Sequence, residues 1–395
     1  LHTPSSAGGF KANVDLLSAQ WGHLGHGASL GTLLVFPDPD QKVLFGLDVT
    51  TNMFYHLAGQ AGVGTTLTLG ADSSTFRNLT GCAKMISQEG TEVAFCLDAG
   101  GASSTFNTIF RVEVMISQNG ITYGDRIQMQ PLLEPPFVEA TDLVAGGYIS
   151  GPTYGGATSW TQAVWKNGYL WLIPKTLDAI LRVAMDGSQI AFSSWPGSLS
   201  AAHCAVSSFA GAVSLPGESP DIMLVPACAN EFIRVDTSSS GSAMTKHDFL
   251  PGGAFAAAGS SGNAWVSGSS TLFSGATYHD GAVWSANMGG SHVVKMTVAT
   301  NTFAGYDTWP VNIAWAPLGA LFFQGIVTDE VKGHGWLLPA ADDGANMIVR
   351  INYATGFMSG YNHWPAGVTN RFSSGTFDGK YVWVAALTVA YALRI

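Results

Sequence analysis

The chain has 395 residues, of which only 11% are charged, against roughly 25% in an average soluble domain, and glycine fills 48 positions. Seventeen Lys and Arg against 27 Asp and Glu give a formal net charge of −10 with no basic cluster, which excludes nucleic acid as a partner. No apolar run reaches the ~18–20 residues of a membrane-spanning helix, and the mixture of Gly, Ser, Thr and aromatics suits short strands and tight turns.

A single ordinary core divides into domains beyond about 250–300 residues, unless repeated units bury their faces on one another. One phrase does recur along this chain: two or three apolar residues, a basic residue, an apolar residue and a short polar turn. A weak copy, LFGLDV, lies at Leu44–Val49, followed by IFRVEV at Ile109–Val114, ILRVAM at Ile180–Met185 and FIRVDT at Phe232–Thr237. VVKMTV at Val293–Val298 and IVRINY at Ile348–Tyr353 continue the series, and a truncated YALRI ends it at Ile395. The central positions are Gly46, Arg111, Arg182, Arg234, Lys295, Arg350 and Arg394, at spacings from 44 to 71 residues. Four-stranded units with some long loops need about that length.

The flanks carry the same period. An apolar strand centred on Trp171, Trp284, Trp336 or Trp383 precedes four of the copies. A strand rich in small residues comes before that, as in Ser274–Gly281 and Ser373–Gly379. A turn containing Pro follows, at Trp195-Pro196, Leu250-Pro251, Trp309-Pro310 and Trp364-Pro365. Proline suits a strand exit because it cannot donate to the ladder. Each unit thus reads as an inner strand A, a Trp-centred B, a basic C and an outer D. The predicted fold is all-β: a seven-bladed propeller of four-stranded antiparallel blades, with residues 1–395 forming a single domain. The last copy stops at strand C, and the first inner strand does not begin until about His26. The segment Phe10–Leu17 is therefore expected to supply the missing outer strand of blade seven and to close the ring.

In this rhythm the chain resembles the virginiamycin-B-lyase-like and NHL-like repeat propellers, most closely at Asp280-Gly281-Ala282-Val283-Trp284 followed by Val294-Lys295-Met296. The resemblance is one of architecture over most of the chain. For a lyase it implies a histidine base and a metal-assisted site, and no residues here match such positions one by one.

Counting back from the basic residue places Cys82 and Cys204 on strand A of blades two and four, and Cys96 and Cys228 on strand B of the same blades. The expected disulfides are Cys82–Cys96 and Cys204–Cys228, one of three connectivities, and they imply an oxidising compartment. Four buried free thiols are the alternative. Asn78-Leu79-Thr80 is an N-glycosylation acceptor. The opening at Leu1, without a signal-like segment, fits a processed product. Low charge fits either a compact secreted protein or a subunit covered by partners or glycans.

Ligands are expected at the channel mouth, built from D-to-A and B-to-C loops. Gln128–Ser159, with Glu134, Glu139 and Asp142, is an unusually long connection of this kind. The same counting aligns Gly81, Thr161, His203, Ser274, Gln324 and Ser374 near the start of strand A. Of these, His203 alone could act as a general base near neutral pH. The others suit a polar ligand, or hydrogen bonds to the backbone or to channel water. Trp195, Trp309 and Trp364, with Trp315, His363 and Arg371 close in sequence, suit sugar stacking, a protein partner, or packing between blades. No calcium loop, nucleophile elbow, phosphate-binding loop or metal spacing occurs, so no cofactor and no metal are expected.

Two functions follow. One is a secreted, non-catalytic module binding a protein or carbohydrate partner, with a homo-oligomer or larger assembly as one form. The other is a carbon–oxygen lyase or lactonase acting through His203.

Overall fold

The computed structural model describes residues 11–12, 28–30, 33–38, 43–48, 53–59, 79–86, 92–98, 109–114, 127–131, 160–174, 179–184, 189–196, 209–216, 221–227, 231–238, 243–248, 273–288, 292–311, 313, 323–340, 346–364, 372–386 and 392–395. All of the secondary structure among them is β. No helix long and apolar enough to cross a membrane occurs among these residues.

Strand β1 is Lys11–Ala12. The first full sheet is β2 (Ala28–Leu30), β3 (Leu33–Asp38), β4 (Val43–Asp48) and β5 (Met53–Gly59). The second is β6 (Leu79–Ile86), β7 (Glu92–Asp98), β8 (Ile109–Val114) and β9 (Ile127–Pro131). The third is β10 (Trp160–Lys166), β11 (Tyr169–Pro174), β12 (Ile180–Ala184) and β13 (Gln189–Phe192). The fourth is β14 (Phe209–Ser214), β15 (Asp221–Pro226), β16 (Glu231–Asp236) and β17 (Met244–Asp248). The fifth is β18 (Phe273–His279), β19 (Ala282–Asn287), β20 (Val293–Thr297) and β21 (Thr302–Tyr306). The sixth is β22 (Phe323–Asp329), β23 (His334–Pro339), β24 (Ile348–Asn352) and β25 (Met358–Tyr361). Last come β26 (Phe372–Phe377), β27 (Val382–Ala386) and β28 (Ala392–Arg394).

Six sheets are four-stranded antiparallel meanders in sequence order, and the seventh has the order β1-β28-β27-β26. Lys11 lies opposite Arg394 and Ala12 opposite Leu393, so an N-terminal strand does complete the C-terminal sheet. The first strands of successive sheets pack side by side from β6 to β26, and β2 lies close to both β6 and β26.

Local chemistry explains the strands. The hairpin between β10 and β11 turns at Asn167-Gly168 and that between β18 and β19 at Asp280-Gly281, both residues of each pair having positive φ. That is the type I′ geometry whose twist matches a two-residue hairpin.

The repeated basic residue has a partner. Arg182 lies directly opposite Trp171, Lys295 opposite Trp284, Arg350 opposite Trp336 and Arg394 opposite Trp383. Each cation sits over its buried indole at 5.2–5.8 Å from the ring centroid. An aromatic on the outer strand packs on three of these indoles: Phe192 at 5.7 Å and Tyr306 at 5.2 Å stacked, and Tyr361 at 5.5 Å tilted. A charged head over an aromatic face keeps its charge hydrated while its stem covers the ring. The other sheets depart from this pair. Where sheet one has Gly46 it faces Val35, and where sheet four has Met223 opposite Arg234, the guanidinium bonds the Asp221 carboxylate instead.

Candidate functional site

Strand A begins the same way in six sheets. A register shift follows its first residue, leaving one extra residue unpaired: Thr80, Thr161, Ala210, Ser274, Gln324 and Ser373. A bulge of this kind bends the strand and re-aims a side chain. The residue before it is Leu79, Trp160, Phe209, Phe273, Phe323 or Phe372, and the residue after it is Gly in four of the six. Neighbouring inner strands run close at this level: a Cβ added at Gly275 would lie in van der Waals contact, 3.8 Å from the Gly325 Cα.

Of the residues aligned from sequence, Thr161, Ser274 and Gln324 do share this bulge position. Gly81 and Ser374 come one residue later. In sheet four the equivalent residue is Ala210, so the register does not put His203 in this set; His203 itself lies outside the described residues. In sheet four the marker of the strand A start is the Phe209-Ala210-Gly211 step. That step, seen also in Phe273-Ser274-Gly275 and Phe323-Gln324-Gly325, is legible in the sequence and was the signal missed.

Ser274 is buried, and the hydroxyls of both Thr161 and Ser274 are shielded from solvent without a hydrogen-bond partner. Ser374 is also buried, and Gln324 is half-buried. In sheet three Gln162 follows the bulge, and its side-chain oxygen accepts from the Ala212 N–H of sheet four at 2.8 Å. It occupies the space left by Gly211, where a Cβ would sit 2.2 Å from Gln162 Oε1.

The Trp-Pro turns meet this level from the neighbouring sheet. Trp195 stacks on Phe209 at 5.5 Å and Trp309 on Phe323 at 5.6 Å, and Trp364 meets Phe372 in a tilted contact at 5.5 Å. Each Phe is the first residue of the next strand A and is almost fully buried, whereas each Trp is half-buried. All three turns share one bond: the N–H of Trp195, Trp309 or Trp364 donates to the carbonyl two residues earlier, at 2.9–3.0 Å. These three-residue turns, fixed further by the following proline, set each indole in one orientation. Their first role is thus packing between sheets, with part of each ring left at the rim. His363, next to Trp364, is exposed.

Polar groups also gather at the opposite rim, where the A–B hairpins lie. Lys166 donates to the Leu215 carbonyl, and Asn167 donates to the Thr237 hydroxyl at 2.8 Å, tying sheet three to sheet four. Burial lowers the Lys166 pKa, opposed by the nearby Asp221. Between sheets five and six, Thr277, Thr328 and Tyr353 form a hydroxyl chain at 2.6 and 2.9 Å, with the His279 ring 4.7 Å from that of Tyr353. Burial drives the Tyr353 phenol far above the ordinary tyrosine range, so it stays a neutral hydrogen-bonding group. Both clusters join sheets. Among the described residues, no group of three or more His, Cys, Asp or Glu gathers that could hold a metal ion.

Cys82 and Cys96 lie on β6 and β7. Arg371, Trp315, Asn78, Cys204 and Cys228 lie outside the described residues, as do Glu134, Glu139 and Asp142. The long connection starts later than sequence suggested, because β9 runs to Pro131.

Repeated sheets, side-by-side inner strands and a bulge shared by six of them decide the fold. The chain is a β-propeller. It is similar to virginiamycin B lyase from Staphylococcus aureus at 13% identity, covering 96% of this chain and 97% of that one, with a TM-score of 0.58. A chain in the mitotic checkpoint complex is similar at 9% identity over 100% and 95% of the two chains, with a TM-score of 0.56. The extracellular domain of the one component system BT4673 from B. thetaiotaomicron is similar at 10% identity over 98% of this propeller, with a TM-score of 0.53, and the match spans 40% of that chain. Proteins similar in fold thus include a lyase, a member of a protein assembly and an extracellular domain. No family description matches the sequence of the propeller, and no curated protein matches it in sequence.

Proposed function

We propose that this propeller is an extracellular, non-catalytic binding or assembly module whose partner, a protein or a carbohydrate, docks on the rim that carries the Trp-Pro turns. The observation that supports this is the three-fold recurrence of one construction. Trp195, Trp309 and Trp364 are each held by the same backbone turn, packed against a buried phenylalanine and left half-exposed. Rigid, half-exposed indoles lose little entropy on binding and are favoured anchors in interfaces and sugar sites. The extracellular setting is supported by the even number of cysteines, four, and by the acceptor at Asn78.

Titration with a panel of neutral and acidic oligosaccharides, and with candidate secreted proteins, tests this reading through tryptophan fluorescence. A saturable spectral change, weakened at least tenfold in Trp309→Phe with melting unchanged, is the expected result. Phenylalanine keeps a ring against Phe323 while removing the indole edge. Catalytic turnover on a lactone or polysaccharide panel, abolished by His203→Ala, would overturn it in favour of the lyase or lactonase reading.

A further inference from the structure

Cys82 on β6 lies directly opposite Cys96 on β7. Facing residues on an antiparallel pair have Cα atoms about 4.5 or 5.5 Å apart, and a disulfide accepts roughly 4.4–6.8 Å. The other blades show what this place holds. Two residues beyond the bulge residue, the facing pair is Ala163–Leu172 in sheet three and Ala212–Leu224 in sheet four. It is Ala276–Ser285, Ile326–Leu337 and Gly375–Val384 in the next three. The strand B member, Leu172, Leu224, Ser285, Leu337 or Val384, is 0% exposed in each. Ala163 and Ala212, the strand A members of sheets three and four, are buried as well.

We propose that Cys82 and Cys96 form a disulfide inside blade two, at the register position where sheets three and four hold a buried alanine–leucine pair. The two thiols reach this state by exchange with the disulfide of an oxidising carrier. One S–S bond forms in the propeller, two protons and two electrons leave it, and the carrier departs as its dithiol. A bridge at a core position is out of reach of reductants until the blade opens, so it is a structural link and not a redox switch. The inference supports the extracellular setting and is independent of the rim as a docking site.

Alkylation and peptide mapping of the whole chain test it. With no reductant, Cys82 and Cys96 should resist alkylation in both native and guanidinium-unfolded protein and appear as one linked peptide. With a water-soluble phosphine, the native protein should be reduced at least a hundredfold more slowly than the unfolded one. Labelling of both cysteines on unfolding alone, linkage of either to Cys204 or Cys228, or equal reduction rates would each overturn the proposal. The paired variant Cys82→Ala/Cys96→Leu restores the apolar pair of sheets three and four. It should fold, and its melting temperature should no longer respond to reductant at these positions. A variant that folds only as aggregate while the single-site map shows free thiols would count against the core placement. Free thiols would remove the extracellular setting and leave rim binding to be judged by its own titration.

Discussion

At the residue scale, the basic position is a packing residue with a charge at its tip. Arg182 lies 4.3 Å from the Tyr169 centroid and 5.5 Å from that of Phe192, as well as over Trp171, and is itself nearly buried. Arg182→Ala should cost about 1–2 kcal/mol in urea unfolding, from lost ring contact and lost packing together. The reverse expectation holds at Ser285, which is fully buried with an unpartnered hydroxyl. Ser285→Ala removes a desolvated polar group and should be neutral or stabilise by up to about 1 kcal/mol; a loss above that would show a hidden partner. Two histidines carry a pH dependence. Burial lowers the pKa of His292, opposed by Asp307. Burial also lowers that of His334, reinforced by Arg350 and Lys332 and opposed by Asp329. The native state therefore prefers neutral rings, while the unfolded chain takes up protons near pH 6.5. Their contribution is complete above that pH and is lost as pH falls through the depressed native values. Melting temperature should drop from about pH 8 to about pH 5, and the double variant His292→Gln/His334→Gln should flatten that slope; an unchanged slope would assign it to other groups.

At the element scale, the bulge and the aromatic stack join one blade to the next. Gln162 reaches from β10 to the Ala212 amide, so Gln162→Ala leaves a half-buried donor without this acceptor and should cost roughly 1–3 kcal/mol. Gly211→Ala should cost a similar amount by pushing the same oxygen away, and the double variant should cost little more than either single one. Much of this scale was readable beforehand. The basic residue opposite Trp is a cross-strand pair, and a pair of fixed register leaves a fixed spacing between strands B and C. The start of strand A was harder, because counting to it crosses a hairpin of variable length. β10 ends at Lys166 and β11 begins at Tyr169, whereas β14 ends at Ser214 and β15 begins at Asp221. That is why the count reaches the bulge at Thr161 and Ser274, whereas in sheet four the bulge position is Ala210. The turn tryptophans were ambiguous for another reason: a sequence shows an aromatic next to proline, but not that Phe209, Phe323 or Phe372 lies beneath it.

At the scale of the whole molecule, the account rests on how the two ends of the chain meet. Successive inner strands pack side by side, β2 approaches β26, and β1 pairs with β28 as the outer strand of the last sheet. The last blade takes one strand from the N-terminal end of the chain and three from the C-terminal end, and without β1 it would expose an edge. Deleting the first seventeen residues should therefore lower both melting temperature and solubility. The most direct test is a cross-link across that pair. With Lys11→Cys and Arg394→Cys introduced together, the account predicts an intramolecular disulfide under mild oxidation, detected as a linked peptide in monomeric protein that keeps the native β-sheet spectrum. Failure of the two cysteines to join, or joining only between different molecules, would contradict closure of the propeller through its N-terminal strand.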